Sequence, residues 1–118
     1  MISRRICAFL LPLVLSACAT DPAPHEQLRL SEQALSQAKA VGLSVEQSAT
    51  LRQAEDKFAQ AQVAMQDEDF KQARLLAEQA ELDARLAEAQ LLTEKSQQQL
   101  TELSNAINRL RKQLGGLQ

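Results

Sequence analysis

The chain has 118 residues, of which 13 are Lys or Arg and 15 are Asp or Glu, and its formal net charge is −2. Basic and acidic residues alternate along the chain, so no basic face is available for nucleic-acid phosphates and we expect no nucleic-acid partner. There is no Trp or Tyr, which excludes a stacking platform for bases, whereas the abundance of Ala, Leu, Gln and Glu is typical of long helices.

Residues 1–17 have the pattern of a cleavable signal peptide. Arg4 and Arg5 form a positive segment and residues 6–15 form an apolar run, which is shorter than the ~20 residues a spanning helix needs. The four residues that close this segment are Leu15, Ser16, Ala17 and Cys18. This tetrapeptide resembles the lipobox of bacterial lipoproteins, which implies cleavage before the cysteine and attachment of lipid to it.

Cys18 is therefore expected to be the first residue of the mature chain and to carry a covalent lipid. An ordinary secretory signal would leave it as an unpaired thiol in an oxidising compartment. Cys7 is discarded with the signal, so we expect no disulfide, no cysteine metal site and no cofactor beyond the lipid. In lipoproteins of this kind, Asp directly after the lipidated cysteine retains the protein at the inner membrane. Ala19 occupies that position, which predicts an outer-membrane lipoprotein that faces the periplasm.

Residues 18–24 are predicted to form a short tether, because Pro22 and Pro24 disfavour a helix. No further proline follows, and good helix formers dominate the rest of the chain, so we expect an all-α fold. Gly42 separates a first helix, from about Glu26 to Val41, from a second.

The second helix is predicted to run from about Val45 to Met65, with Ser44 as its N-cap and Gln47 completing a capping box. Its packing face carries Leu51, Ala54, Phe58, Ala61 and Met65 at spacings of three and four. Phe58 is expected to be the large side chain set among the alanines of this face, so that Phe58→Ala would cost ~3 kcal/mol or more. Asp67, Glu68 and Asp69 are expected to form a solvated cap at the start of the next helix.

A third helix, from near Glu68 to about Leu114, is predicted to be about 70 Å long at ~1.5 Å per residue, more than twice the length of the second. Its first half carries a stripe of alanines suited to close packing against the second helix. The predicted architecture is a helical hairpin or three-helix bundle at residues 25–90, with a long coiled-coil-like helix protruding at residues 91–118. In an up-down-up topology, the tether and the turn at residues 67–69 lie at the same end.

The protruding segment carries apolar residues at heptad spacing, which predicts an interaction seam. Nothing else in the chain is long enough to cover this face, so we expect a homo-oligomer or a helical partner protein. A frayed amphipathic tail on a monomer is the alternative. The residues of the interaction seam are Leu100, Leu103, Ile107, Leu110 and Leu114, with Leu117 continuing the spacing.

The helical hairpin also resembles a known family. The resemblance covers roughly Leu28 to Gln90 and is carried by Ala54, Lys57, Phe58, Ala61 and Met65, then by Asp69-Phe70, Ala73, Leu76 to Ala80, Asp83-Ala84 and Leu86-Ala87. These positions are similar to the domain of unknown function 4398, found in small envelope lipoproteins of proteobacteria. The resemblance implies an α-helical lipoprotein of the outer membrane and no catalytic residues. Some members continue into a peptidoglycan-binding domain, which we do not expect here. Contact with peptidoglycan therefore has no support in the sequence, although the family context allows it.

Enzymatic chemistry is not expected. His25 is the single histidine and lies at the end of the tether, so it has no second histidine for a metal site or a nucleophile-base pair. Two functions stay open. The chain is either a structural or scaffolding rod of the cell envelope that associates with itself, or an accessory module that docks its last helix onto an efflux, secretion or wall-associated complex.

Overall fold

The computed structural model describes residues 21–116, and in this part of the chain every regular element is a helix, which confirms the all-α fold class. Helix α1 spans His25–Ala40, α2 spans Ala49–Gln66 and α3 spans Phe70–Gly115. The residues Leu15, Ser16, Ala17, Cys18 and Ala19, together with Leu117, lie outside the described residues, so the lipobox, the sorting position and the end of the seam stay predictions.

The three helices form the predicted up-down-up arrangement, as the polar contacts between them show. Lys57 of α2 donates to Asp83 of α3, and Thr50 donates to Gln90, so residue numbers rise on one helix as they fall on the other. For α1 and α3 the contacts rise together, because Arg74 donates to the carbonyl of Pro22 and Lys95 to that of Val41. Helix α3 is therefore antiparallel to α2 and parallel to α1.

The core is built mainly from alanines, as predicted for the first half of α3. Ala73, Ala77, Ala80, Ala84 and Ala87 repeat at spacings of four and three, and each is fully buried. Alanine has no side chain beyond Cβ, so α1 and α2 can both approach the α3 backbone closely. The buried hydroxyl of Ser31 illustrates this, since its Oγ lies 2.6 Å from the carbonyl oxygen of Ala77 in α3.

Leu51, and not Phe58, is the large side chain at the centre of this core. Leu51 is fully buried, whereas Phe58 is half-buried and packs on the edge of the core cluster. The prediction for Phe58 was wrong because α1 and α2 pack mainly on α3 and leave a surface groove between them, with Leu35 on one side and Phe58 on the other. Of the remaining stripe residues, Ala54 and Ala61 are fully buried as expected, whereas Met65 is only partly buried.

The connection between α1 and α2 also differs from the prediction. Gly42 has φ +95°, a left-handed conformation that glycine accepts without strain, and it ends α1 as expected. The predicted N-cap at Ser44 is wrong, because residues 45–47 form a turn and α2 begins four residues later, where the Ser48 side chain accepts a hydrogen bond from the Leu51 amide. The reason is tertiary: Leu43 and Val45 turn inward and pack on the core.

A tight turn joins α2 to α3. Glu68 takes φ 60°, which is uncommon for a residue other than glycine and which reverses the chain within three residues. The side chain of Asp69 then accepts a hydrogen bond from the Gln72 amide and caps α3. The expectation of a cap in this acidic segment is confirmed at Asp69, while Asp67 and Glu68 are exposed.

Candidate functional site

The length of α3 creates the most conspicuous surface of the molecule. Helix α3 has 46 residues and α2 has 18, so at ~1.5 Å per residue α3 is on the order of 70 Å long and α2 under 30 Å. In the described residues, the last side-chain hydrogen bond from α3 to the rest of the bundle is made by Lys95, whose Nζ donates to the Val41 carbonyl at 2.9 Å. Residues 96–115, about 30 Å of helix, form the overhang.

The interaction seam lies on this overhang, and the structure leaves it uncovered. Between 41% and 67% of the surface of each seam residue is exposed, Ile107 being the least exposed and Leu114 the most. The five residues follow spacings of 3, 4, 3 and 4 along a continuous helix, so they lie on one face. The five seam residues within the described part of the chain are Leu100, Leu103, Ile107, Leu110 and Leu114.

The residues on the other faces of the overhang are polar, and they define the limits of the seam. Asn105, Asn108 and Lys112 continue the direction in which the buried alanine stripe pointed, but no helix lies beneath them. The recess along the overhang has a volume of about 440 Å³ and is lined only by side chains of α3, namely Glu94, Gln97, Gln98, Thr101 and Glu102. It is a helix surface with no opposing wall, and none of the residues that line it belongs to the seam.

Four leucines on the bundle half of α3 are exposed and were not predicted from the sequence. Three of them share one spacing, and the fourth, Leu92, is 47% exposed and lies outside it. Leu75, Leu82 and Leu86 are 48%, 66% and 50% exposed, although the helix half that bears them packs its alanines against α1 and α2. The signal that could have found them is their spacing, because counting back from Leu100 in steps of four and three reaches Leu86, Leu82 and Leu75. The alanine stripe dominated the pattern in this half of the helix and concealed the second periodicity.

The tether end of the molecule lies opposite the overhang. Arg74, in the first turns of α3, donates to the carbonyl of Pro22 at 3.3 Å, which places residue 22 beside the turn at residues 67–69. Pro24 is buried at the start of α1, and the Leu28 amide donates to its carbonyl. A chain entering through residue 21 is therefore at one end of the rod, and the seam is at the other.

The ionisable groups with shifted pKa values lie away from the overhang. The hydrogen bond from Arg29 lowers the pKa of the Glu26 carboxyl, and the same contact raises the pKa of Arg29. In the α1–α2 connection, a backbone hydrogen bond and the Ser44 hydroxyl lower the pKa of Glu46. These groups are fully exposed and their shifts reflect local contacts on the surface of the bundle.

Neither a metal site nor a membrane-spanning helix is found in residues 21–116. No three His, Cys, Asp or Glu side chains of this part of the chain are grouped as a metal ion would require. None of its helices combines the length and the apolar character that would let it cross a bilayer. His25 is exposed at the first position of α1.

Comparison with known proteins identifies the family. Residues 26–103 match the family described as Domain of unknown function (DUF4398), and the chain belongs to this family. The match extends beyond the hairpin into the first part of the overhang. No curated protein matches the chain.

A solved structure supports the fold. The chain is similar to a DUF4398 family protein from Pseudomonas aeruginosa PAO1, whose crystal structure it matches with 62% sequence identity and a TM-score of 0.78. The match covers 82% of this chain and 100% of the other.

Proposed function

We propose that this protein is a non-enzymatic outer-membrane lipoprotein whose helical rod acts as a scaffolding element of the cell envelope and associates through the interaction seam of the overhang. The observation that carries the proposal is the overhang itself, a segment of about 30 Å in which one face is apolar and uncovered while the others are polar. Exposed apolar surface of this extent is typical of a protein-interaction site.

The lipid anchor is the second part of the proposal, and the lipobox ending at Cys18 supports it. Pro22 lies at the turn end of the rod, so a lipid on Cys18, four residues earlier, would hold this end near the membrane. The overhang then points away from the membrane. Ala19 after the lipidated cysteine supports residence in the outer membrane, with the rod in the periplasm.

Self-association is favoured over docking to a different protein by the composition of the seam. In a symmetric pair each seam residue meets a residue of the same kind, so Leu and Ile pack against Leu and Ile in every layer. The seam carries no charged residue that would select a different partner. Docking onto an envelope complex is the alternative outcome of the test below.

The test replaces Ile107 by Lys in residues 21–118 and measures sedimentation velocity. A lysine in the middle of the seam must be desolvated without a partner if the seam is buried, so Ile107→Lys is expected to lower the association constant by at least 100-fold. Asn108→Lys is the matched control, because it adds the same charge one residue along on the polar face and is expected to leave association unchanged.

Urea unfolding followed by circular dichroism shows whether the substitution leaves the bundle folded. Ile107 lies beyond the last side-chain hydrogen bond from α3 to the bundle, so the hairpin should unfold at the same urea concentration in both variants when measured at low protein concentration. A wild-type chain that stays monomeric at high concentration would contradict self-association and leave the partner-docking alternative. An oligomer that Ile107→Lys does not affect would show that another face makes the contact.

A further inference from the structure

Helix α3 has a second face that runs along its whole length. Beginning at Leu75, positions at alternating steps of four and three continue without a phase break to Leu114, over 40 residues. Between five and six heptads fit in this length, whereas the interaction seam alone has just over two. The positions of this extended seam are Leu75, Gln79, Leu82, Leu86, Ala89, Thr93, Ser96, Leu100, Leu103, Ile107, Leu110 and Leu114.

The extended seam and the alanine stripe are on nearly opposite faces of the same helix. At about 100° per residue, the centre of the extended seam lies about 150° from the centre of the stripe that contains Ala77, Ala80 and Ala84. The alanines are fully buried by α1 and α2, while the leucines of the extended seam face outward. A second helix can therefore lie along the whole of α3 without displacing either neighbour.

The exposed apolar area of the extended seam is large enough for a stable dimer, whereas that of the overhang alone is too small. The exposed fractions of its eight Leu and Ile residues amount to about four to five fully exposed leucines, on the order of 800 Å² per chain. A standard specific interface buries about 800 Å² per partner. The five residues on the overhang supply only about 500 Å² of this, which is in the range of weak contacts.

The polar positions of the extended seam indicate how a second helix would lie. In a parallel pair in register, Gln79 meets Gln79 of the second copy and Thr93 meets Thr93, so each polar group has a polar partner. In the antiparallel register that uses the whole extended seam, Leu75 meets Leu114 and Gln79 meets Leu110, which leaves a buried amide without a hydrogen bond. Ile107 and Leu110, at successive a and d positions, are the residue types that favour two strands in a parallel coiled coil.

We propose that a second copy of this chain docks along the full length of α3, parallel and in register, so that the two α3 helices form a continuous coiled coil with one bundle on each outer side. This inference deepens the self-association proposed above and rests on it. It adds the bundle surface around Leu82 as half of the interface. It also accounts for leucines that would otherwise be exposed on the outside of a bundle so poor in large core side chains.

Disulfide trapping tests the inference. Residues 21–118 contain no cysteine, so a cysteine placed at Leu82, Ile107 or Asn108 is the only thiol in the chain. Leu82→Cys and Ile107→Cys report the bundle half and the overhang half of the extended seam. Asn108→Cys, on the polar face, is the control. All three side chains are exposed in the single chain, so the substitutions should not disturb the fold.

The expected result is rapid oxidation of Leu82→Cys and of Ile107→Cys to disulfide-linked homodimers, because facing seam positions approach within the Cα distance that a disulfide spans, while Asn108→Cys stays largely reduced. Mixing the first two variants, one carrying a mass tag, should give no mixed disulfide. A mixed disulfide would overturn the parallel orientation.

Two further outcomes separate this inference from the proposed function. A homodimer at Ile107→Cys without one at Leu82→Cys would confine the contact to the overhang, which overturns the extended seam and leaves the proposed self-association intact. No disulfide at either position, with a monomeric mass in sedimentation, would overturn both.

Discussion

Replacement of Leu51 by Ala should destabilise the bundle more than any other single truncation in α2. Leu51 is fully buried, and its cluster contains Ala34, Leu35, Ala54 and Ala84. Because most of these neighbours are alanines, few large side chains are available to fill the space that the substitution leaves. Leu→Ala substitutions at such sites cost about 3–5 kcal/mol, which includes the cavity that remains. For a small domain this corresponds to a melting temperature lower by roughly 15 °C or more.

Phe58→Ala is the informative comparison, because the phenylalanine is larger but half-buried. It lies at the open groove between α1 and α2, where water can fill the space of the lost ring. We expect a cost of about 1–2 kcal/mol, in proportion to the surface that the ring buries. The order of the two effects therefore tests the packing directly.

Urea unfolding followed by circular dichroism measures both variants. The protein concentration must be the same for each, since association stabilises the folded chain. The midpoint should fall strongly for Leu51→Ala and weakly for Phe58→Ala, with the slope unchanged. If Phe58→Ala costs as much as Leu51→Ala or more, then Phe58 occupies the centre of the core and the packing described here is wrong.

Three other predictions concern the anchor and one buried hydroxyl. Cys18→Ser should abolish lipidation, detected as the loss of metabolic labelling with palmitate, and leave an unprocessed precursor; normal processing of the variant would refute the lipobox. Ala19→Asp should move the lipoprotein from the outer to the inner membrane on density fractionation, and an unchanged distribution would contradict the sorting prediction. Ser31→Ala should lower the free energy of unfolding by about 1 kcal/mol, because the hydroxyl contact with the Ala77 carbonyl is lost. A variant as stable as the wild type in urea would mean that this contact contributes nothing.

Much of the fold followed from local patterns in the sequence. Alanines at spacings of three and four predicted the face of α3 that α1 and α2 cover, and Ala73, Ala80 and Ala87 are indeed fully buried. The lack of proline after residue 24 and the position of Gly42 predicted the helical class and the end of α1. These features depend on helix propensity and periodicity, which act within a few residues.

The features that were predicted wrongly or not at all depend on contacts between distant segments. The start of α2 is set at Ser48 because Leu43 and Val45 pack on the core, and nothing in the residues 44–47 reveals this. Phe58 is half-buried because the groove between α1 and α2 is open. In both places, tertiary packing outweighed a sound local signal.

The seam was predictable only in part, for a different reason. On the overhang a single periodicity is present, so its apolar positions stood out. On the bundle half of α3, two periodicities are superimposed on one helix, an alanine stripe that is buried and a set of leucines that is exposed. Only burial in the folded bundle distinguishes the two sets, and the sequence alone does not show which of two apolar faces packs in the core.

The central proposal is that lipid-anchored copies of this chain associate through α3 in the outer membrane. Its most direct test is co-expression of two full-length copies with different C-terminal tags, followed by capture of one tag from the detergent-solubilised outer-membrane fraction. The account predicts that the second copy is recovered with the first, and that recovery is lost when both copies carry Ile107→Lys and kept when both carry Asn108→Lys. If both wild-type copies are present in that fraction but the second copy is not recovered with the first, the proposal is contradicted.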